Sequence, residues 1–241
     1  MMIQNKKLLT LPEQIADHIK EAILLGQLKP GQKLPTELEL AKHYLVSRPT
    51  IRDAIKILAD SKLVTTKSGA KGGHFIADFA PNSFVDDFSS YLTLSMSLKE
   101  IKLQEVTAMR KIVEVESCVL AAAERREEDL ETMESILQTL TNSLPDHIYY
   151  QKDVEFHRSI AKATQNRFIQ ILLDAFNIAV SPFFHSIHWP EALKTEMNLE
   201  LGKIYEAIKK HDAKLAAELM NSHLQRSEQH FSLVRPDLMK L

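Results

Sequence analysis

Apolar and polar residues alternate in two different rhythms on either side of residue 80. Up to that point the apolar positions form short helical stripes. The first is Ile15, Ile19, Ala22 and Ile23, and the second is Leu40, Ala41 and Tyr44. The third, Ile51, Ala54, Ile55 and Leu58, keeps the i, i+3, i+4, i+7 spacing of one buried helix face. Two runs of β-forming character follow, Leu63-Val64-Thr65-Thr66-Lys67 and His74-Phe75-Ile76-Ala77. After Ala80-Pro81-Asn82-Ser83 the pattern is helical throughout, with helices expected over about 98–124, 127–141, 149–164, 166–180, 194–210 and 212–233. Pro145, Pro182 and Pro190 are assigned to the connections, because a proline inside a helix removes a backbone donor. The fold class is mainly α: a small mixed domain over 8–78, a linker over 79–97, and an all-helical bundle over 98–235.

The small domain carries start signals at both of its later helices. Thr36 with Glu39 three residues on forms a capping box, and Ser47 is an N-cap for the helix that carries the third stripe. Only Leu45-Val46 separates the two, which is a helix-turn-helix. A hairpin with the loop Ser68-Gly69-Ala70-Lys71-Gly72-Gly73 follows, so the unit reads as a winged helix-turn-helix. Three of the chain's 6 glycines fall in that loop, which points to positive φ or close approach of backbone. At 100° per residue Arg48, Arg52 and Lys56 line a stripe apart from the apolar one, and both guanidinium groups are expected to face solvent. A helix in the major groove reads bases with its N-terminal residues, and the arginine fork matches the paired acceptors of guanine. Ser47, Thr50, Gly69 and Lys71 are the further expected DNA contacts, through hydroxyls, close backbone and a charged wing tip.

Charge supports that division. Residues 1–78 hold 12 Lys and Arg against 8 Asp and Glu, while the remainder holds 18 against 24, so a basic head precedes an acidic body. A single winged head makes few contacts, and a symmetric dimer on a pseudo-palindromic duplex is expected. The lone Cys118 excludes an internal disulfide and suits a small buried residue. No apolar run approaches the ~20 residues of a membrane span, and Met1-Met2-Ile3-Gln4-Asn5-Lys6-Lys7 leads into no signal-peptide core. A cytoplasmic location is the corresponding expectation.

In the bundle, Asp153 and His157 lie one turn apart on one helix face, and His223 on the last helix is a third donor. The spacing suits a metal site and equally a hydrogen-bonded pair. Arg110, amid apolar neighbours, suits a carboxylate clamp or an ion pair with Glu114 one turn on.

Leu34-Pro35-Thr36-Glu37, the run Val46 to Ile55 and the stretch Gly69 to Phe75 together resemble the GntR family of bacterial transcription regulators. That resemblance implies operator contacts by Arg48, Thr50, Arg52 and Gly69. Some members carry a DNA-contacting arginine where Leu38 stands here. Further on, Met109-Arg110-Lys111-Ile112-Val113-Glu114, Asp153-Val154-Glu155-Phe156-His157, Ala163-Thr164-Gln165-Asn166 and Ala207-Ile208 leading to His223-Leu224 resemble the ligand-binding FCD domain of the FadR subfamily. It implies a small effector, with Arg110 and Asn166 as contacts and a carboxylate as its chemistry, and a divalent metal such as zinc on one Asp and three His. Asp153, His157 and His223 match three of those ligands; at the fourth stands Leu201, which has no donor atom. Three arrangements stay open: metal on three protein ligands plus water or effector, a histidine such as His185 or His188 swinging in, or a metal-free pocket that binds an organic molecule directly. The implied function is an effector-responsive regulator, a repressor in its simplest form, and not an enzyme. Two rivals are a metal-dependent helical-bundle enzyme with a DNA-binding appendage and a ligand-free architectural DNA-binding protein. The paired Glu-x-x-His repeats of a di-iron bundle are absent from the sequence.

Overall fold

A computed structural model describes residues 8–69, 71–78, 81–184 and 187–236. The chain divides into two compact units, Met1–Ala80 and Pro81–Leu241.

In the first unit, α1 (Leu11–Leu24) starts at a Thr10 and Glu13 capping box. Helix α2 (Glu37–Tyr44) starts at the equivalent box: the Thr36 backbone N–H donates to Glu39 Oε2 at 2.7 Å, and Glu39 N–H donates to Thr36 Oγ1 at 3.3 Å. Leu45 closes α2 in the left-handed region, φ 56°, which turns the chain at once into α3 (Arg48–Asp60). Ser47 Oγ caps α3 by accepting from Thr50 N–H at 3.3 Å. Ile51, Ala54, Ile55 and Leu58 of α3 are buried against Ile15, Ile19 and Leu40, so one face of the helix is fixed inward. Strands β1 (Val64–Lys67) and β2 (Gly73–Ile76) pair antiparallel, Val64 opposite Ile76 and Lys67 opposite Gly73. The loop between them needs glycine twice. Gly69 has φ +99°, and a Cβ on Gly72 would stand 2.4 Å from the Lys67 carbonyl oxygen.

The second unit is helical among its described residues: α4 (Pro81–Ser97), α5 (Leu103–Glu124), α6 (Glu127–Thr139), α7 (Asp146–Ala163), α8 (Arg167–Phe184), α9 (Glu191–Lys209) and α10 (Ala213–Val234). Helix α10 packs on α5 and α9, α5 on α7, and α4 on α8, around a core that includes Cys118, Met133, Phe156, Leu173 and Met220.

Three sequence expectations change here. The segment 79–97 was expected to be a linker, yet 81–97 is a helix whose Val85, Ser89, Leu92 and Met96 are buried, and Thr93 donates to the Ala179 carbonyl of α8 at 3.2 Å. Its inward stripe contains serines, which lowers the apolar contrast. Pro182 was assigned to a connection but lies inside α8. So near the helix end it removes one backbone bond, and the extra turn brings Phe184 into stacks with Tyr150 and Phe231 at centroid distances of 5.7 and 4.2 Å. By length and composition α8 is apolar enough to cross a membrane, unlike the expectation for this chain. Its Leu173, Phe176, Ala179, Val180 and Phe184 serve the bundle core.

Candidate functional site

The N-terminal turn of α3 presents Arg48 and Arg52 to solvent, their side chains 57% and 66% exposed. They are not free of carboxylate. Glu37, at the start of α2, accepts from Arg52 Nε at 3.2 Å and from Arg52 NH2 at 3.0 Å, and lies 3.7 Å from Arg48 and 3.9 Å from His74 Nε2. The hydrogen bond from Arg52 draws the Glu37 carboxyl below its ordinary range, so it stays ionised. Two guanidinium groups therefore share one carboxylate, and the face keeps a net positive charge. Arg52 must release Glu37 to use its fork on a base. Ser47 Oγ is engaged as the cap and lies 2.8 Å from Thr50 Oγ1. On the wing, Lys71 is exposed, and the Lys67 ammonium stands 5.0 Å over the Phe75 ring. Glu37 and His74 were not among the sequence candidates. His74 sits opposite Thr66 in the hairpin, its Nδ1 2.9 Å from Thr66 Oγ1, and so joins the wing to this face.

Inside the second unit, Asp153 and His157 of α7 meet His223 of α10, with donor atoms within 4.8 Å of one another. The two Nε2 atoms face each other at 3.3 Å, and each lies 3.8 Å from an Asp153 oxygen. All three residues are buried. Each Nδ1 is held from behind by a carboxylate: Glu114 of α5 on His157, and Glu200 of α9 on His223 at 3.1 Å. With Nδ1 donating, a neutral imidazole presents its Nε2 lone pair. Two lone pairs and the Asp153 Oδ1 atom, which has no hydrogen-bond partner, then converge on one point.

The carboxylates are themselves held. Arg110 Nε donates to Glu114, which Arg110 and His157 keep ionised against the cost of burial, with a pKa of about 2. Burial opposes charge on His157, but Glu114 and Asp153 outweigh it and raise its pKa. Arg226 donates from Nε to Glu200 at 2.7 Å. Glu200 and Arg226 were missed from sequence; the one signal was their place beside Leu201 and three residues after His223.

Leu201 is fully buried and supplies no donor. His188 does not complete the set: its side chain is 77% exposed and pairs with Asp146 at 2.8 Å. His185 lies outside the described residues. Asn166 is also not part of this cluster. It is exposed, and its Oδ1 caps α8 by accepting from Phe168 and Ile169 N–H at 3.0 and 3.3 Å. Arg110 does approach the site, lining with Phe184, Leu224 and Phe231 a cleft of about 30 Å³.

Comparison with known proteins follows the same division. Residues 11–72 match the family of bacterial regulatory proteins named gntR, and residues 105–226 match the FCD domain. The HTH-type transcriptional regulator YcbG of Bacillus subtilis is 30% identical over 92% of this chain and 89% of its own length. The chain belongs to the GntR family. Another relative of this GntR protein, the HTH-type transcriptional regulator LutR of Bacillus subtilis, is 28% identical over 84% of this chain and 93% of its own. The solved structure of Streptococcus agalactiae GntR is similar with a TM-score of 0.61, 25% identity, and coverage of 90% of this chain and 99% of that one. The protein is a transcription regulator and not an enzyme. Its GntR domain binds DNA and its FCD domain responds to a small molecule.

Proposed function

We propose that this GntR regulator is a cytoplasmic repressor that grips an operator as a homodimer and responds to a small carboxylate bound near a divalent metal in the helical domain. The observation that carries the sensing half is the convergence of His157 Nε2, His223 Nε2 and Asp153 Oδ1 on one buried point, two ring nitrogens 3.3 Å apart and an oxygen without a hydrogen-bond partner. Such a set fits a cation, and the nitrogen and carboxylate donors fit zinc. Glu114 and Glu200 supply the outer carboxylates that orient the two rings. When bound, the metal would supply a Lewis-acid anchor for a ligand carboxylate, and the buried Leu201 offers it no donor atom.

Arg110 orients the ligand from the other side. Its Nε is taken by Glu114, and its side chain lines the small cleft with Phe184, Leu224 and Phe231, where a guanidinium can take a ligand carboxylate. That cleft, about 30 Å³, has room for little more than a water, so an organic acid must displace Phe184, Leu224 or Phe231 to enter. Displacement of packed side chains is how binding energy reaches the rest of the bundle, and only affinity that differs between the two states moves the equilibrium.

Leu201 favours a second reading, a metal-free pocket in which a proton on His157, held there by Glu114, replaces the cation. The experiment that separates them is metal analysis of the purified chain, with DNA release by small organic acids measured before and after chelation. Metal at one per chain and release that needs it support the first reading. No metal, and release unaffected by chelator, supports the second.

A further inference from the structure

Glu37 is the point where three elements of the DNA-binding face meet. Its Oε1 atom accepts from Arg52 Nε of α3 at 3.2 Å and stands 3.9 Å from His74 Nε2 of β2, so a guanidinium and an imidazole approach the same oxygen. Its Oε2 atom accepts from a terminal nitrogen of Arg52 at 3.0 Å and lies 3.7 Å from Arg48. The wing is tied to this carboxylate. Leu34 N–H, three residues before Glu37, donates to the His74 carbonyl at 2.8 Å, and the Thr66 hydroxyl lies 2.9 Å from His74 Nδ1. The side chains of His74 and Glu37 are each 18% exposed, so solvent screens them only in part. The charged groups around the imidazole are thus Glu37 from α2 and Arg48 and Arg52 from α3. Lys33 and Lys67 lie over the Phe75 ring at 5.7 and 5.0 Å, and strand alternation puts Phe75 on the opposite face of β2 from His74.

We propose that His74 is a positioning residue for base reading: once protonated it takes Glu37 from Arg52, and the freed guanidinium turns to the duplex. The inference rests on Arg52 reading a base. A neutral imidazole that donates Nδ1–H to Thr66 turns its Nε2 lone pair toward the carboxylate, and the other tautomer offers Glu37 only an uncharged N–H. A proton from solvent makes both nitrogens donors, so the ring keeps Thr66 and gains a charged bond to Glu37. Closing 3.9 Å to a hydrogen-bond length takes a shift of about 1 Å. Glu37 then has a partner when Arg52 leaves. Without that proton, departure of Arg52 leaves a partly buried carboxylate with Arg48 alone, at 3.7 Å, beside an incoming phosphate backbone. Arg52 holds the Glu37 carboxyl below its ordinary range, so Glu37 is charged throughout the neutral range, where imidazole is the side chain whose charge changes. Base reading is therefore linked to proton uptake at the wing, and preference for the cognate duplex rises as pH falls.

The test measures binding of the full chain to a duplex selected from a random pool and to its scrambled form, by fluorescence anisotropy at one salt concentration, from pH 8 to pH 6. Wild type is expected to gain about two- to fivefold in preference over that range, the worth of one partly exposed ion pair. His74→Gln keeps a neutral partner for Thr66 and is expected to lose the gain. Glu37→Gln is expected to lose it as well, because Arg52 is then free at every pH. His18 and His43 stand against Tyr44, at ring centroid distances of 6.2 and 5.0 Å, and remain in both variants, so any slope they add is common to all three proteins. An unchanged gain in His74→Gln would overturn the proposal, as would a wild-type preference that does not move with pH. A gain that persists in Glu37→Gln overturns it too, since His74 would then act on phosphate directly and not through Glu37. Arg52→Ala separates the proposal from the reading beneath it. Preference retained in that variant overturns both, whereas preference lost there, with no pH-dependent gain in wild type, overturns the role of His74 alone.

Discussion

Zinc added to the chelator-stripped chain raises its melting temperature, and the size of the rise follows from the geometry. His157, His223 and Asp153 are brought together only by folding, since α7 and α10 are far apart in sequence. A ligand that binds only the folded state stabilises it by about 2.7 kcal/mol at a hundred times its dissociation constant. For a helical unit of this size each kcal/mol moves the midpoint by about 2–4 °C, so a shift of about 5–11 °C is expected. Asp153→Asn keeps the shape and removes the one anionic ligand, and it should cut the shift to a small fraction. Differential scanning calorimetry on stripped wild type and on Asp153→Asn, each with and without zinc, gives the answer. A wild-type midpoint that zinc does not move would refute the reasoning, as would an equal shift in the variant.

Further outcomes follow from other contacts. Glu37→Gln removes the carboxylate that Arg52 and Arg48 share, so the free face gains one positive charge. One added phosphate contact steepens the salt dependence by about 0.9 in log–log slope, an extra three- to fourfold gain on scrambled DNA between 200 and 50 mM salt, read by fluorescence anisotropy. Preference for the selected sequence should not fall, because Arg52 no longer has to release Glu37 before its fork meets a base. Asp146 is bound by the buried Lys194 at 2.7 Å, and against a desolvation cost this pair and His188 lower its pKa. The stability Asp146 contributes is therefore present above its unfolded pKa, near 4, and is lost as pH falls through the lower native value; Asp146→Asn should flatten that part of the acid-unfolding profile. The same variant leaves the Lys194 charge in the bundle without its anionic partner, held by the Leu144 carbonyl at 2.7 Å and the Tyr149 ring at 5.3 Å, and should cost about 1–3 kcal/mol at neutral pH in urea denaturation.

Local chemistry made the first unit legible. Thr36 with Glu39 and Ser47 with Thr50 are caps closed within three residues, and the stripe Ile51 to Leu58 has one possible inner face. The same locality marked Asp153 and His157 as a pair. What escaped was tertiary. Glu37 reaches Arg52 across a separation of 15 residues, and Glu200 reaches His223 across 23, so neither pairing has a spacing to betray it. Helix α4 was hidden because Ser89 and Ser95 are buried on its inner side, where a pattern search expects apolar residues. Asn166 shows the reverse: its motif was visible, and in the structure its side chain caps α8 and does not join the histidine cluster.

The claim on which the regulatory account depends is that Arg48 and Arg52 read bases. A duplex selected from a random pool by the intact chain, compared with its scrambled form at one fixed salt concentration, measures that directly. Arg48→Ala and Arg52→Ala are each predicted to lose about ten- to a hundredfold of the preference for the selected duplex while binding to the scrambled one falls only slightly. Preference left intact, with both duplexes weakened equally, would contradict the account and leave these residues as phosphate contacts alone.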